Sequence, residues 1–212
     1  MKKKKDGDLI VVSGPSGAGK DTIVNELLKR NKDIYLSISM TTREKRGSEK
    51  DGVDYYFVDD NTFKKNIEKD NFLEYAKVYD KYYGTPKDEV VNRLEKGIDV
   101  VLVIDITGAL NIKKIFKDAI FIFIMPPDLK TLMKRIINRN RDSKEKMLKR
   151  FKEDYKLVNE FNKYNYVVVN DNLEDAVHKV ESILIASKCS TQRIEDLELD
   201  NEEEVIHEFL VD

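Results

Sequence analysis

The chain has 212 residues, enough to bury one full core or one core carrying an insert. Its 38 basic and 40 acidic side chains leave a formal net charge of −2, so no overall positive field favours nucleic acid. Cys189 is the only cysteine and no apolar run approaches bilayer-spanning length, which excludes an internal disulfide and a cysteine zinc site and points to a cytoplasmic protein with no membrane partner.

The Lys2 to Lys5 run looks like the start of a signal peptide, but Asp6 and Asp8 follow it and the next apolar run is too short. That run, Leu9 to Val12, is uninterrupted and β-prone, as a buried parallel strand is. Ile23, Val24, Leu27 and Leu28 then recur at helical spacing. Between strand and helix lies Ser13-Gly14-Pro15-Ser16-Gly17-Ala18-Gly19-Lys20-Asp21-Thr22. Its glycines let the backbone curl around a ligand and aim N–H groups at phosphate oxygens, where the helix N-terminus adds partial positive charge. Gly14, four residues, Gly19 and Lys20 form the spacing of a nucleoside-triphosphate P-loop, with Lys20 reaching the outer phosphates. The residue after the lysine is usually Ser or Thr, whose hydroxyl meets magnesium; here it is Asp21, and Thr22 is the next hydroxyl.

Further apolar runs, Ile34 to Ile38, Val100 to Ile104, Ile120 to Met125 and Tyr166 to Val169, alternate with helical patterns at Leu110 to Phe116, Leu129 to Ile137 and Ala176 to Ile185. This alternation predicts an α/β fold: a parallel β-sheet core flanked by helices, with ligands at the carboxyl ends of the strands. We expect the core in residues 8–38 and 97–186. From 39 to 96 the alternation gives way to Tyr, Phe and charge, with short extended pieces at Tyr55 to Val58 and Phe72 to Val78, which reads as an inserted mixed α/β unit. Residues from about 138 to 150 are polar and basic and open a charged helix, 144 to 164, in the manner of a mobile lid. Residues 187–212 form an acidic extension, expected to be a solvated tail or a short docked helix.

Arg43 and Arg46, three apart after the second strand and flanked by hydroxyls and tyrosines, can fork a phosphate dianion through planar bidentate donors. Taken singly they would be ordinary surface charges; the ordered series around them separates the two readings. Gly14 to Lys20, Thr41-Thr42-Arg43 to Arg46, Gly52-Val53-Asp54-Tyr55-Tyr56-Phe57, Phe72-Leu73-Glu74-Tyr75-Ala76, Tyr83-Gly84-Thr85-Pro86, Asp105 with Gly108-Ala109, Pro126-Pro127, Arg135 with Arg139, Arg150 and Val168-Val169-Asn170-Asp171 follow in order. With this series the chain resembles guanylate kinase, a nucleoside monophosphate kinase of the P-loop fold, from residue 8 to about 186.

The resemblance implies ATP and GMP or dGMP as substrates and magnesium as cofactor. It places Arg43, Arg46, Tyr55 and Tyr83 on the GMP phosphate and Ser39, Glu74 and Thr85 on guanine. A carboxylate can accept from guanine N1–H and the exocyclic amine together, a pattern adenine does not offer. Residues Ser13 to Thr22 then hold ATP, with Asn170 near its adenine and Arg139 at the phosphates or stacked on that base. Lys20, Arg135, Arg139 and Arg150 supply cations to the transferring group, and no catalytic base is needed because the nucleophile is already a phosphate oxygen. Asp105 and Thr22 are the metal candidates, through water, and Asp105 also borders GMP; the family usually shows acid, any residue, acid here, and Val103 stands in place of the first acid. A kinase of another phosphate acceptor, such as a ribose bisphosphate, and a non-catalytic phosphopeptide-binding module are the competing classes. Oligomeric state is not legible in the sequence, and a homodimer stays open.

Overall fold

The computed structural model describes residues 2–3, 6–78, 80–139, 145, 148, 151–152, 155–156, 158–191 and 194–196. A short strand β1 (Lys2–Lys3) precedes β2 (Leu9–Ser13), α1 (Lys20–Arg30) and β3 (Ile34–Leu36). Then come β4 (Met40–Thr41), β5 (Tyr56–Phe57), α2 (Asp60–Glu68), β6 (Phe72–Val78), β7 (Lys81–Pro86) and α3 (Lys87–Leu94). The chain continues through β8 (Asp99–Val103), α4 (Ile106–Ile115), β9 (Ile120–Met125), α5 (Leu129–Arg139), β10 (Tyr166–Val169), α6 (Leu173–Lys188) and β11 (Ile194–Asp196).

The main sheet has the order β10-β9-β2-β8-β3, with every neighbouring pair parallel. Alternate residues of its strands feed two cores. Leu9, Val11, Val100, Leu102, Phe121 and Phe123 pack with Val90 and Leu94 of α3 and Ile106, Ala109 and Ile112 of α4. Ile10, Val12, Val101, Ile120, Ile122 and Ile124 pack on the other face with Ile23, Val24 and Leu27 of α1 and Ala176, Val177, Val180 and Leu184 of α6. Burial on both faces is why these strands read as unbroken apolar runs, each fully buried Leu, Ile or Phe stabilising by roughly 1.5–3 kcal/mol. The expected parallel α/β core is therefore the observed one, and β2 at its centre delivers the glycine loop to the sheet's carboxyl edge.

Residues 40–86 build a second sheet, β5-β4-β7-β6, in which β6 and β7 form an antiparallel hairpin and β4 runs antiparallel to β7 and parallel to β5. Asp59 caps α2 by accepting from Thr62 N–H at 2.7 Å, and Phe63 of that helix stacks on Phe72 and Tyr82, with centroids 4.5 and 5.3 Å apart. Helix α4 lies against β6, so the hairpin is tied to the carboxyl end of β8.

Several boundaries differ from the sequence expectation. The second run stops at Leu36, and α4 starts at Ile106 rather than Leu110 because the Asp105 side chain caps it. Of the charged helix expected from 144 to 164, residues 145, 148, 151–152, 155–156 and 158 are helical, and Asn159–Lys163 is a 3-10 turn. In the acidic extension, Ile194–Asp196 pairs antiparallel with Lys2–Lys3 instead of forming a helix; residues 197–212 lie outside the described residues.

Candidate active site

The loop after β2 can be built only from glycine at two points. Gly14 has φ +143° and a Cβ there would run into the Ile124 carbonyl; Gly19 has φ +96° and a Cβ there would collide with the Asn170 amide. Ala18 N–H turns back to Pro15 O at 3.2 Å, and the buried Asn170 donates through Nδ2 to Ala18 O at 2.7 Å. The backbone carbonyl of Asn170 accepts from Arg135 Nη2 at 3.1 Å, so one residue at the end of β10 braces the loop through its side chain and α5 through its main chain. Gly19, the N-cap of α1, offers no side chain to that helix's first turn, whereas Asp59, Asp105 and Asn172 each cap theirs. No capping side chain thus competes with an anion at the N-terminus of α1. Lys20 Nζ donates to Gly14 O at 2.7 Å and Pro15 O at 3.1 Å, which keeps its charge at the mouth of the loop.

Facing the loop is an arginine cluster. Arg43 is 9% exposed, with its Cζ 5.2 Å from the Tyr55 ring centroid, and Tyr55 meets Tyr83 edge-on at 6.0 Å. Nη1 and Nη2 of Arg43 donate to Glu49 Oε2 and Oε1, both at 2.8 Å, and Arg46 N–H donates to the same Oε2 at 2.8 Å. Burial alone would raise the Glu49 carboxyl, but the Arg43 hydrogen bond, the Arg46 N–H and both positive charges hold it below the usual carboxylate range. The Tyr55 hydroxyl is pushed up to about 12, chiefly by burial and next by the Asp21 carboxylate, so the end of the P-loop and the second sheet are within electrostatic reach of each other.

Glu74 closes the far end. It is 7% exposed; Oε1 accepts from Thr85 Oγ1 at 2.9 Å, while Oε2 is buried without a partner. Burial raises its pKa to about 7 against the lowering effect of the Thr85 bond, with the Asp105 charge raising it further. Gly108 of α4 forms the floor, where a Cβ would stand 2.8 Å from Oε2. Asp105 uses Oδ1 to cap α4, accepting from Thr107 and Gly108 N–H at 2.7 and 3.1 Å.

All of this opens on one cleft of about 980 Å³. Of the residues expected from sequence, Gly14, Ser16, Gly17, Lys20, Asp21, Ser39, Arg43, Arg46, Tyr55, Glu74, Tyr83 and Asp105 line it. Ser13, Pro15, Ala18 and Gly19 shape the loop from behind, Thr85 is buried behind Glu74, and Asn170 and Arg135 brace the loop. Thr22 is exposed and off the cleft wall, so the residue following Lys20, not the next hydroxyl, faces the ligand space. Arg139 ends α5, and its side chain, like all of Arg150, lies outside the described residues. The sequence reading gave no role to Glu49, Gly108 or Ser37, whose buried Oγ lacks a partner on the cleft wall. Glu49 follows Arg46 by three residues, and that spacing was the available signal. Among the described residues no group of three or more His, Cys, Asp or Glu could hold a metal, and no helix is long and apolar enough to cross a membrane.

A five-stranded parallel sheet, a glycine loop at its central strand and an uncapped helix behind that loop define a P-loop nucleotide-binding α/β protein. A family model described as guanylate kinase matches residues 6–187. The chain is 52% identical to guanylate kinase of Caldanaerobacter subterraneus subsp. tengcongensis over 97% of its own length and 100% of that protein. It is 50% identical to guanylate kinase of Clostridium perfringens over 99% and 97% of the two chains. The crystal structure of guanylate kinase from Anaplasma phagocytophilum superposes with a TM-score of 0.77 at 32% identity, covering 90% of this chain and 91% of that one. The chain therefore belongs to the guanylate kinase family of ATP-dependent nucleoside monophosphate kinases.

Proposed function

We propose that the protein transfers the γ-phosphoryl group of ATP to GMP or dGMP, forming ADP and GDP or dGDP. The observation that carries this reading is that the P-loop wall, the arginine cluster and the buried Glu74 share one cleft. The loop and the N-terminus of α1 hold the ATP phosphates, with Lys20 on the outer ones. Arg43, Arg46, Tyr55 and Tyr83 hold the acceptor phosphate, and Glu74, supported by Thr85 and Ser39, reads guanine. The unpaired Glu74 Oε2 supports that last role, because guanine's N1–H and amine are the donors it lacks and adenine would leave it unpaired.

The chemical step then needs alignment and charge neutralisation, since the attacking atom is already an anionic oxygen. Lys20 and the α5 and lid arginines, Arg135, Arg139 and Arg150, are the cations assigned to it, with residues 138–150 as the closing segment. Asp21 and Asp105 on the cleft wall are oxygen donors suited to hydrated magnesium, which takes one or two carboxylates together with substrate phosphates; Thr22, off that wall, is not placed to join them. Magnesium bound there would offset the charge of the ATP phosphates. We assign residues 39–96 as the acceptor-binding unit and the cytoplasm, where both nucleotides meet, as the location.

A ribose bisphosphate acceptor would leave Glu74 without a base to pair, and a phosphopeptide module would have no use for Lys20 in an intact P-loop. An assay of ADP formation with GMP, AMP, UMP and CMP as acceptors tests the proposal. Turnover with GMP far above the others is the expected result, and equal turnover with AMP would overturn it.

A further inference from the structure

Three of the five Arg43 N–H donors are already committed inside the protein. Both on Nη1 are used, one by Glu44 O at 2.7 Å and one by Glu49 Oε2 at 2.8 Å, and one on Nη2 goes to Glu49 Oε1 at 2.8 Å. The carboxylate of Glu49 therefore grips the guanidinium end-on. The other edge, Nε–H with the second Nη2–H, makes no hydrogen bond to the described residues, and it is the edge that can still offer two parallel donors to a phosphate. Glu49 also accepts from Arg46 N–H and, through its own N–H, donates to Arg46 O at 3.1 Å, which closes the turn from 46 to 49. One carboxylate on the cleft wall thus fixes the side chain of one phosphate-facing arginine and the backbone of the other.

We propose that Glu49 is the positioning residue of the acceptor-phosphate pocket, holding Arg43 and the 46–49 turn in place before the nucleotide arrives so that the Nε/Nη2 edge of Arg43 meets the phosphate. The proposal rests on the acceptor-site reading above. The opposite role has the opposite sign: a carboxylate that merely fills the pocket until phosphate displaces it would compete with the ligand, and its removal would tighten binding.

The test compares Glu49→Gln and Glu49→Ala with wild type, reading KM for GMP, kcat at saturation, and the dissociation constants of GMP and guanosine by calorimetry. Loss of the grip should raise KM and the GMP dissociation constant about tenfold or more, the scale of one charge-assisted hydrogen bond. Guanosine, which has no phosphate, should bind both variants as it binds wild type, and the fall in kcat should be smaller than the rise in KM. Unchanged or tighter GMP binding in Glu49→Gln overturns the proposal, and so does an equal loss for guanosine, which would mean general damage to the fold. Arg43→Ala separates the two levels of the argument: if it leaves GMP binding intact, the acceptor-site reading fails, whereas if it weakens GMP and the Glu49 variants do not, only the role of Glu49 fails.

Discussion

Glu74 is the carboxyl of the cleft whose pKa burial raises. A carboxyl raised from its ordinary 4.5 to about 7 by burial binds a proton more tightly folded than unfolded. The stability tied to that proton, roughly 3 kcal/mol for such a shift, is fully present below the unfolded pKa and is lost as pH rises through about 7. The melting temperature of the nucleotide-free protein should therefore decline between pH 5 and 8 more steeply in wild type than in Glu74→Gln, as calorimetry would show; parallel profiles would contradict the burial argument. Guanine donors favour the ionised form, so guanosine affinity should improve as pH rises from 6 to 8. Guanosine is the better probe because the second ionisation of a phosphate, near pH 6, would mix into a GMP titration.

Two other residues separate binding from chemistry. Lys20→Ala should lower kcat by about 10²–10³-fold, as loss of one preorganised donor to developing charge does, and near-normal turnover would remove Lys20 from the reaction. Arg46→Ala should instead raise KM for GMP about tenfold or more. Little of this division was legible from composition. Taken singly, Arg43, Arg46 and Glu74 look like solvated charges and only the ordered series around them marks them in the sequence, whereas Glu49 looks like a solvated charge until its bonds to Arg43 are seen.

Among the elements, the P-loop was the most legible, because Gly14 and Gly19 occupy backbone conformations that other residues rarely adopt. Gly19→Ala combines a strained φ with a collision against Asn170, so it should weaken ATP binding and lower stability by about 1–3 kcal/mol; a variant that binds ATP normally would show that the loop relaxes freely. The central strands β2, β8 and β9 were legible because both of their faces are buried, whereas the edge strands β3 and β10 are half-buried or exposed and were legible from their β-branched and aromatic residues. Strands β4 and β5 were not, since two residues are too short to show a period, and the brace from Asn170 to the loop spans 152 residues of sequence, beyond the reach of any local pattern.

For the whole molecule, the parallel core and the family series were read correctly, while the pairing of the two chain ends was not. Strands β1 and β11 meet through backbone hydrogen bonds between segments with little β-propensity, so no side-chain pattern announces them. A two-stranded sheet of this size is marginal by itself. Truncation after Ser190, which removes β11 and spares α6, should accordingly leave kinase turnover intact and cost no more than about 1 kcal/mol in denaturant melts. A larger loss would show that the acidic extension supports the core.

Direct passage of phosphorus from donor to acceptor requires two anion pockets opposing each other across one cleft. ATP carrying a chiral, isotopically labelled thiophosphate at the γ position measures this in a single experiment with GMP. A single in-line displacement predicts that the label appears in GDP with inverted configuration; retained configuration, or label recovered on the protein or only as free thiophosphate, would contradict it.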